Sequence, residues 1–310
     1  MRLFRATLQR TDFVTHSIRT TLTVLFPVAR RFLPLTQHEN FSPVSQKLID
    51  PEKPSQPPEK QIDAVKKNLE DACKNSGVSS REHITQLLQM TSILQRNNRY
   101  IAATEYLNKA ATLNIKHDYL LQSTILHAQT VQYWHAQAWQ QALETATANL
   151  SLLTQHTHTD HHTVIVPLHD IALTKFAMEK LSESADTFQK ILSLPSVQQT
   201  IGWNPYTTCL GVTKLFLNNI PDAISILRRG LIQKYSPLNL LGRDRIGHAV
   251  TLNNLAICAA VQDDIKQAEE YLTMAGKYLE KVPALRAIVD INIDKLMKYP
   301  EHSLSPQFTI

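Results

Sequence analysis

A short spacing pattern that recurs five times constrains this chain more than any other feature of it. An apolar or aromatic residue is followed after three positions by a small one. A bulky residue comes four further on, and a closing residue, usually small, three beyond that. The pattern occurs as Tyr100, Ala103, Leu107, Ala110 and as Trp139, Ala142, Ala146, Asn149. It returns as Leu181, Ser184, Phe188, Ile191, as Ile220, Ala223, Leu227, Gly230, and as Ile265, Ala268, Leu272, Ala275. Steps of three and four put all four positions on one face of a helix. The small residue lets a second helix come close, and the bulky one fills the groove beside it.

Each occurrence follows a short polar break: Arg96-Asn97-Asn98, Ala136-Gln137, Glu179-Lys180, Asn218-Asn219 and Gln262-Asp263-Asp264. Before each break stands another apolar stretch with helical spacing, such as residues 84–94 and 252–261. The implied unit is helix, tight turn, helix, used five times. Composition agrees with an all-α chain. Hydrophobic residues make up 43% of the 310, enough for a sizeable core, while there are only 7 glycines. The turns and phosphate loops of parallel α/β folds draw on glycine far more heavily.

These units resemble the tetratricopeptide repeat (TPR) family. The second helix of that family has the same small, bulky, small order, and its first helix often carries a Leu-Gly or Leu-Ala pair. The pair stands here as Leu210-Gly211 and Leu255-Ala256, with Ile171-Ala172 as a near match. The resemblance covers roughly residues 83–282. It departs from the family in period: Ala103, Ala142, Ser184, Ala223 and Ala268 lie 39, 42, 39 and 45 apart instead of about 34. It implies a superhelix of α-α hairpins in residues 61–300, about five repeats long. The first helices would line a concave groove that holds a peptide or a partner helix. The implied partners are proteins, with no cofactor or metal and no catalytic role.

Residues 1–40 have a different character. Arg2, Arg5, Arg10, Arg19, Arg30 and Arg31 face a single acid, Asp12, in residues 1–36, and Leu3, Phe4, Ala6, Leu8, Phe13 and Val14 form an amphipathic helical pattern. That is the composition of a mitochondrial transit peptide. It is also that of a basic amphipathic anchor, so peripheral membrane association stays open. The apolar run at residues 22–28 is too short for a secretory core and for a membrane span, and it contains Pro27. Residues 41–60 carry Pro43, Pro51, Pro54, Pro57 and Pro58 and read as a linker, and residues 301–310 as a tail. The N-terminal region is expected to be disordered, and the folded body to lie in the mitochondrial matrix or on the inner membrane.

Charge bears on the partner. The whole chain carries +5, and residues 1–36 already hold +5 of it, so the body is neutral. A neutral body lacks the field that drives phosphate binding, which argues against nucleic acid. The rival readings are an RNA- or ribosome-associated repeat protein and a trafficking adaptor anchored by the basic N-terminus.

Several residues stand out within this frame. The positions that form a Lys-Asn carboxylate clamp in peptide-binding TPR proteins hold Leu88 and Ser92, His127 and Val131, His169 and Leu173, Thr208 and Val212, and Asn253 and Ile257. None is Lys-Asn, so a chaperone-tail adaptor is not expected. Asn253 and Asn254 are the expected partner-binding groove residues. The polar run from His156 to His162 includes His158, Asp160 and His161. His158 and His162 have a spacing that suits a metal, but the Thr-rich setting is that of a solvated connector. Arg228, Arg229, Arg243, Asp244 and Arg245 read as solvated surface, and Trp134 and Trp139 as packing residues. Cys73, Cys209 and Cys258 have no pairwise metal or redox spacing, and Cys209 and Cys258 read as small core residues. No phosphate-cradling loop, HExxH or nucleophile elbow occurs.

Overall fold

The computed structural model describes residues 58–113, 118–157, 162–198, 205–231, 242–280 and 283–298, all in helices and their short connections. Ser80 caps α2 (Arg81–Arg96), its side chain accepting from the N–H of His83 at 3.1 Å. This satisfies one of the orphan donors of a helix start. Asp118 caps α4 (Tyr119–His135) and Asp264 caps α12 (Ile265–Tyr278) in the same way. Proline opens α1 (Pro58–Ser76), α9 (Pro205–Phe216) and α13 (Pro283–Lys298). Its missing N–H costs nothing in a first turn. The linker expected at 41–60 thus loses its last three residues to α1. The remainder of that linker, the presequence and the 301–310 tail lie outside the described residues.

The chain divides into two compact units. The first holds α1, the hairpin of α2 and α3 (Tyr100–Thr112), the hairpin of α4 and α5 (Trp139–His156), and α6 (Ile165–Ala177) as far as Lys175. From Phe176 the second holds α7 (Leu181–Ser193), the short α8 (Pro195–Gln198), α9 with α10 (Ile220–Leu231), α11 (Gly242–Val261) with α12, and α13. No strand occurs among the described residues.

The five polar breaks all make the same turn. Asn98, Gln137, Glu179, Asn218 and Asp263 each have φ between 55° and 61°. The N–H groups at and after these residues return to the preceding helix: Asn98 to the Gln95 carbonyl at 3.1 Å and Arg99 to that of Leu94 at 2.9 Å. Gln137 and Ala138, Asn218 and Asn219, and Asp263 and Asp264 repeat the pairing. This left-handed helix ending satisfies carbonyls that would otherwise be orphaned. Asn and Asp tolerate positive φ, whereas at Gln137 and Glu179 it costs about 1 kcal/mol each. The small residue then comes five positions later in every repeat, where its N–H bonds the carbonyl just before the second helix.

Ala103, Ala142, Ser184, Ala223 and Ala268 are all fully buried. So are Ala110, Ala146 and Ala275, while Leu107, Phe188, Leu227 and Leu272 are buried beside them, as is Gly230. In the first unit Leu107 and Ala110 of α3 pack with Ile84 and Leu87 of α2 and with Leu121 and Ile125 of α4. In the second, Ala223 and Leu227 of α10 pack with Leu255 and Cys258 of α11. Helix α3 therefore bridges its own first helix and the next repeat's, and α10 meets the next repeat's in the same manner. At Gly211 of α9 an added Cβ would sit 2.6 Å from Leu227 Cγ, so the glycine sets how closely α9 approaches α10.

Candidate functional site

In an array of stacked hairpins the first helices are the elements expected to face a concave surface, and their polar side chains make up the candidate site. Successive first helices are joined by polar contacts spaced about one repeat apart. In the first unit Gln95 Nε2 of α2 donates to the Ala128 carbonyl of α4 at 3.1 Å. From α4, His127 Nδ1 lies 2.6 Å from Asp170 Oδ2 of α6, and Trp134 Nε1 donates to Thr174 Oγ1 at 3.0 Å. In the second unit Thr208 and Thr251 hydroxyls meet at 3.2 Å, and Asn292 Nδ2 donates to Asn253 Oδ1 at 2.9 Å. A buried polar pair that is satisfied fixes one register between neighbours, because sliding would strand both partners.

The α4–α6 contact is the most charged of these. Asp170 is 3% exposed and His127 is half-buried. Against a carboxylate acceptor His127 Nδ1 is the donor, which leaves Nε2 as the ring's other polar atom. His169, beside Asp170, is 1% exposed. Burial holds its imidazole far below the ordinary range, at about 4, against the attraction of Asp170 and with the help of His127. Such a histidine is neutral at physiological pH. Trp134 closes the seam, its ring meeting Trp139 edge-on at 5.0 Å.

Other residues singled out in the sequence fall in varied places. Asn253 and Asn254 are a correction. They are 2% and 0% exposed, on a helix whose residues 247–260 are all buried, so neither lines a surface. Asn253 is spent on α13, and the Asn254 amide has no hydrogen-bond partner among the described residues. Where a groove was expected, α12, α10 and α13 enclose the helix instead. Among the clamp positions Val131, Leu173, Thr208, Val212 and Ile257 are buried, and Ser92 and His127 keep partial exposure. Asn149 is fully buried with both amide atoms unpartnered among the described residues, the odd member among its otherwise apolar counterparts.

Of the histidine run, His156 ends α5 with its ring stacked on Tyr119 at 4.7 Å, and His162 opens a short 3-10 turn. His158, Asp160 and His161 lie outside the described residues, among which no group of three or more ligating side chains is placed to hold a metal. Arg228 and Arg229 are exposed on α10; the side chains of Arg243, Asp244 and Arg245 lie outside the described set. Cys258 is buried and Cys209 half-buried, and burial pushes both thiols up to about 12. Neither is poised for thiolate chemistry. Asp170, Thr174, Thr251 and Asn292 were missed from sequence. The signal available for them was a polar residue at a helical position that should be apolar, one period from another.

No protein-family model matches the sequence, and no curated protein is detectably similar to it. Solved structures do match. The chain superimposes on BtubC (BKLC) from P. vanneervenii with a TM-score of 0.57 and 16% identity, over 73% of this chain and 92% of that one. It also matches the nearly identical TPR-like repeats of a putative kinesin light chain from Podosopora anserina, at TM-score 0.52 and 13% identity, over 64% of this chain and 95% of that one. A singly substituted form of that protein gives the same score and identity, over 65% of this chain and 96% of that one. The fold is a TPR-like helical repeat. With the long period of 39 to 45 residues, the TPR-like hairpins here are drawn-out versions of the family's unit. No described helix is long and apolar enough to cross a membrane.

Proposed function

We propose that this chain is a non-catalytic scaffold that binds other proteins, serving as an assembly factor of a mitochondrial complex. The TPR-like repeat fold supports the scaffold reading, since recognition is the usual employment of stacked hairpins. The mitochondrial part is carried by one observation, the Arg-rich, acid-poor amphipathic segment in residues 1–36 ahead of a neutral body. The face offered to a partner is on α2 and α4, where Gln89, Ser92, Thr124, Leu126 and His127 keep partial exposure. No Lys, Arg, Asp or Glu is among them and they mix polar and apolar surface, as suits a peptide better than a phosphate backbone.

The test has two arms. A fluorescent protein fused to residues 1–60 is expected in mitochondria, and a fusion that stays cytosolic removes the compartment from the reading. Affinity purification of the full chain from isolated mitochondria, read by mass spectrometry, is expected to return the subunits of one complex in fixed ratio. Recovery of RNA that is lost as salt is raised would instead favour the nucleic-acid reading.

A further inference from the structure

The Asp170 side chain keeps 4% of its surface in solvent, and the side chain that meets its carboxylate is an imidazole, His127 of α4. Among the described residues no Lys or Arg pairs with it. A carboxylate held this deep is costly unless a countercharge is at hand. His169, beside it on α6, is buried and neutral at physiological pH and supplies none. A neutral His127 gives Asp170 a hydrogen bond but no charge.

The geometry of the pair says where a countercharge can enter. The His127 Nδ1 proton points at Asp170 Oδ2 over 2.6 Å, so the ring's lone pair is at Nε2. Nε2 bonds to no other described residue and is not among the sealed polar atoms left without a partner. It therefore opens on solvent, through the 15% of the His127 side chain that stays exposed. We propose that a lysine or arginine side chain of the bound partner seats on His127 Nε2 and supplies the charge that Asp170 lacks. This deepens the scaffold reading above and rests on it.

The chemistry of the seat selects a cation. A hydroxyl or an amide N–H also donates to a lone pair, but neither answers the carboxylate behind the ring. A partner carboxylate would meet a lone pair and a negative charge in line, both repulsive. Asp170 acts as a positioning residue: it fixes the tautomer that turns the lone pair outward, and its charge is felt across the ring. The surroundings hold no rival charge, since Gln89 and Ser92 of α2 and Thr124 and Leu126 of α4 are the partly exposed groups of this face. The bond of Gln95 to the Ala128 carbonyl, one residue from His127, holds α2 beside the seat. Contacts of the same kind in the second unit, Thr208 with Thr251 and Asn292 with Asn253, are buried and carry no charge.

A displayed library of random peptides, panned on the immobilised full-length chain at about pH 8, above the ordinary imidazole range, tests this. The selected peptides are expected to share one Lys or Arg. Replacing that residue by Gln is expected to weaken binding to the parent chain at least about tenfold by calorimetry. With Asp170→Asn, which keeps an acceptor for His127 but removes the charge, the same replacement is expected to change little. Should Asp170→Asn fail to fold, His127→Phe combined with Asp170→Leu replaces the whole pair by apolar groups and is expected to give the same result. Selected peptides without a shared basic residue, or with a shared acidic one, overturn the proposal and leave the scaffold reading standing. So does an equal loss in the parent and substituted chains. A library that yields no binder removes the scaffold reading and the cation seat with it.

Discussion

Helices α4 and α11 occupy the same place in their repeats and have opposite surroundings. In α11 every residue from Gly247 to Ala260 is buried, including Asn253 and Asn254. In α4, Gln122, Thr124, Leu126, His127, Ala128 and Gln129 all keep part of their surface in solvent. The sequences do not foreshadow this, since α11 carries His248, Thr251, Asn253 and Asn254 among its apolar residues much as α4 mixes Gln, Thr and His with its leucines. What differs is that α10, α12 and α13 pack round α11. One architecture therefore yields two kinds of first helix, one that serves as core and one that keeps a solvent-facing side.

The widest separation between the two is expected from truncation. Leu255→Ala, at 1% exposure in α11, is expected to cost about 3 kcal/mol through lost transfer energy and the cavity left behind. Leu126→Ala in α4 is expected to cost under about 1 kcal/mol. Urea unfolding of both variants checks this, and equal losses would erase the distinction.

A smaller effect tests how tightly the second unit is drawn together. Gly211→Ala places a methyl 2.6 Å from Cγ of the fully buried Leu227, at an expected cost of about 2 kcal/mol. Gly230→Ala meets only Thr207, its Cγ2 at 3.5 Å, and is expected to be neutral or mildly stabilising. Thermal melts of the pair should differ in direction or at least in size.

The smallest effect compares the turns that follow the two helices. Gln137→Gly after α4 relieves a left-handed backbone that glutamine resists, and a net gain of about 0.5 kcal/mol is expected once glycine's extra unfolded-chain entropy is counted. Asp263→Gly after α11 is expected to change stability by no more than a few tenths of a kcal/mol, because Asp already tolerates that region. Chemical denaturation of the two variants beside the parent chain reads both.

Much of the fold was legible in residue spacing. Helical periodicity marks the paired helices because burial acts on faces, and Ala103 or Leu227 must recur where a face returns. The polar breaks announced turns, but their common left-handed residue was hidden, since Gln137 and Glu179 do not advertise positive φ as glycine would. The site was less legible. His127 and His169 stood out as clamp positions, but nothing local told that Asp170, 43 residues after His127, would accept its hydrogen bond. Asn253 and Asn254 misled for the same reason. A polar side chain on a first helix looks the same in sequence whether a partner or α13 covers it.

The recurrence itself is open to direct measurement by cysteine accessibility. In a background of Cys73→Ser, Cys209→Ala and Cys258→Ala, single cysteines are placed at Ala103, Ala142, Ser184, Ala223 and Ala268. A matching set goes two residues on, at Glu105, Glu144, Asp186, Ser225 and Glu270, all exposed. Burial of the small residues predicts thiol labelling at least about 100-fold slower at the first five sites than at their exposed companions. Equal labelling rates within the pairs would contradict the five-hairpin arrangement.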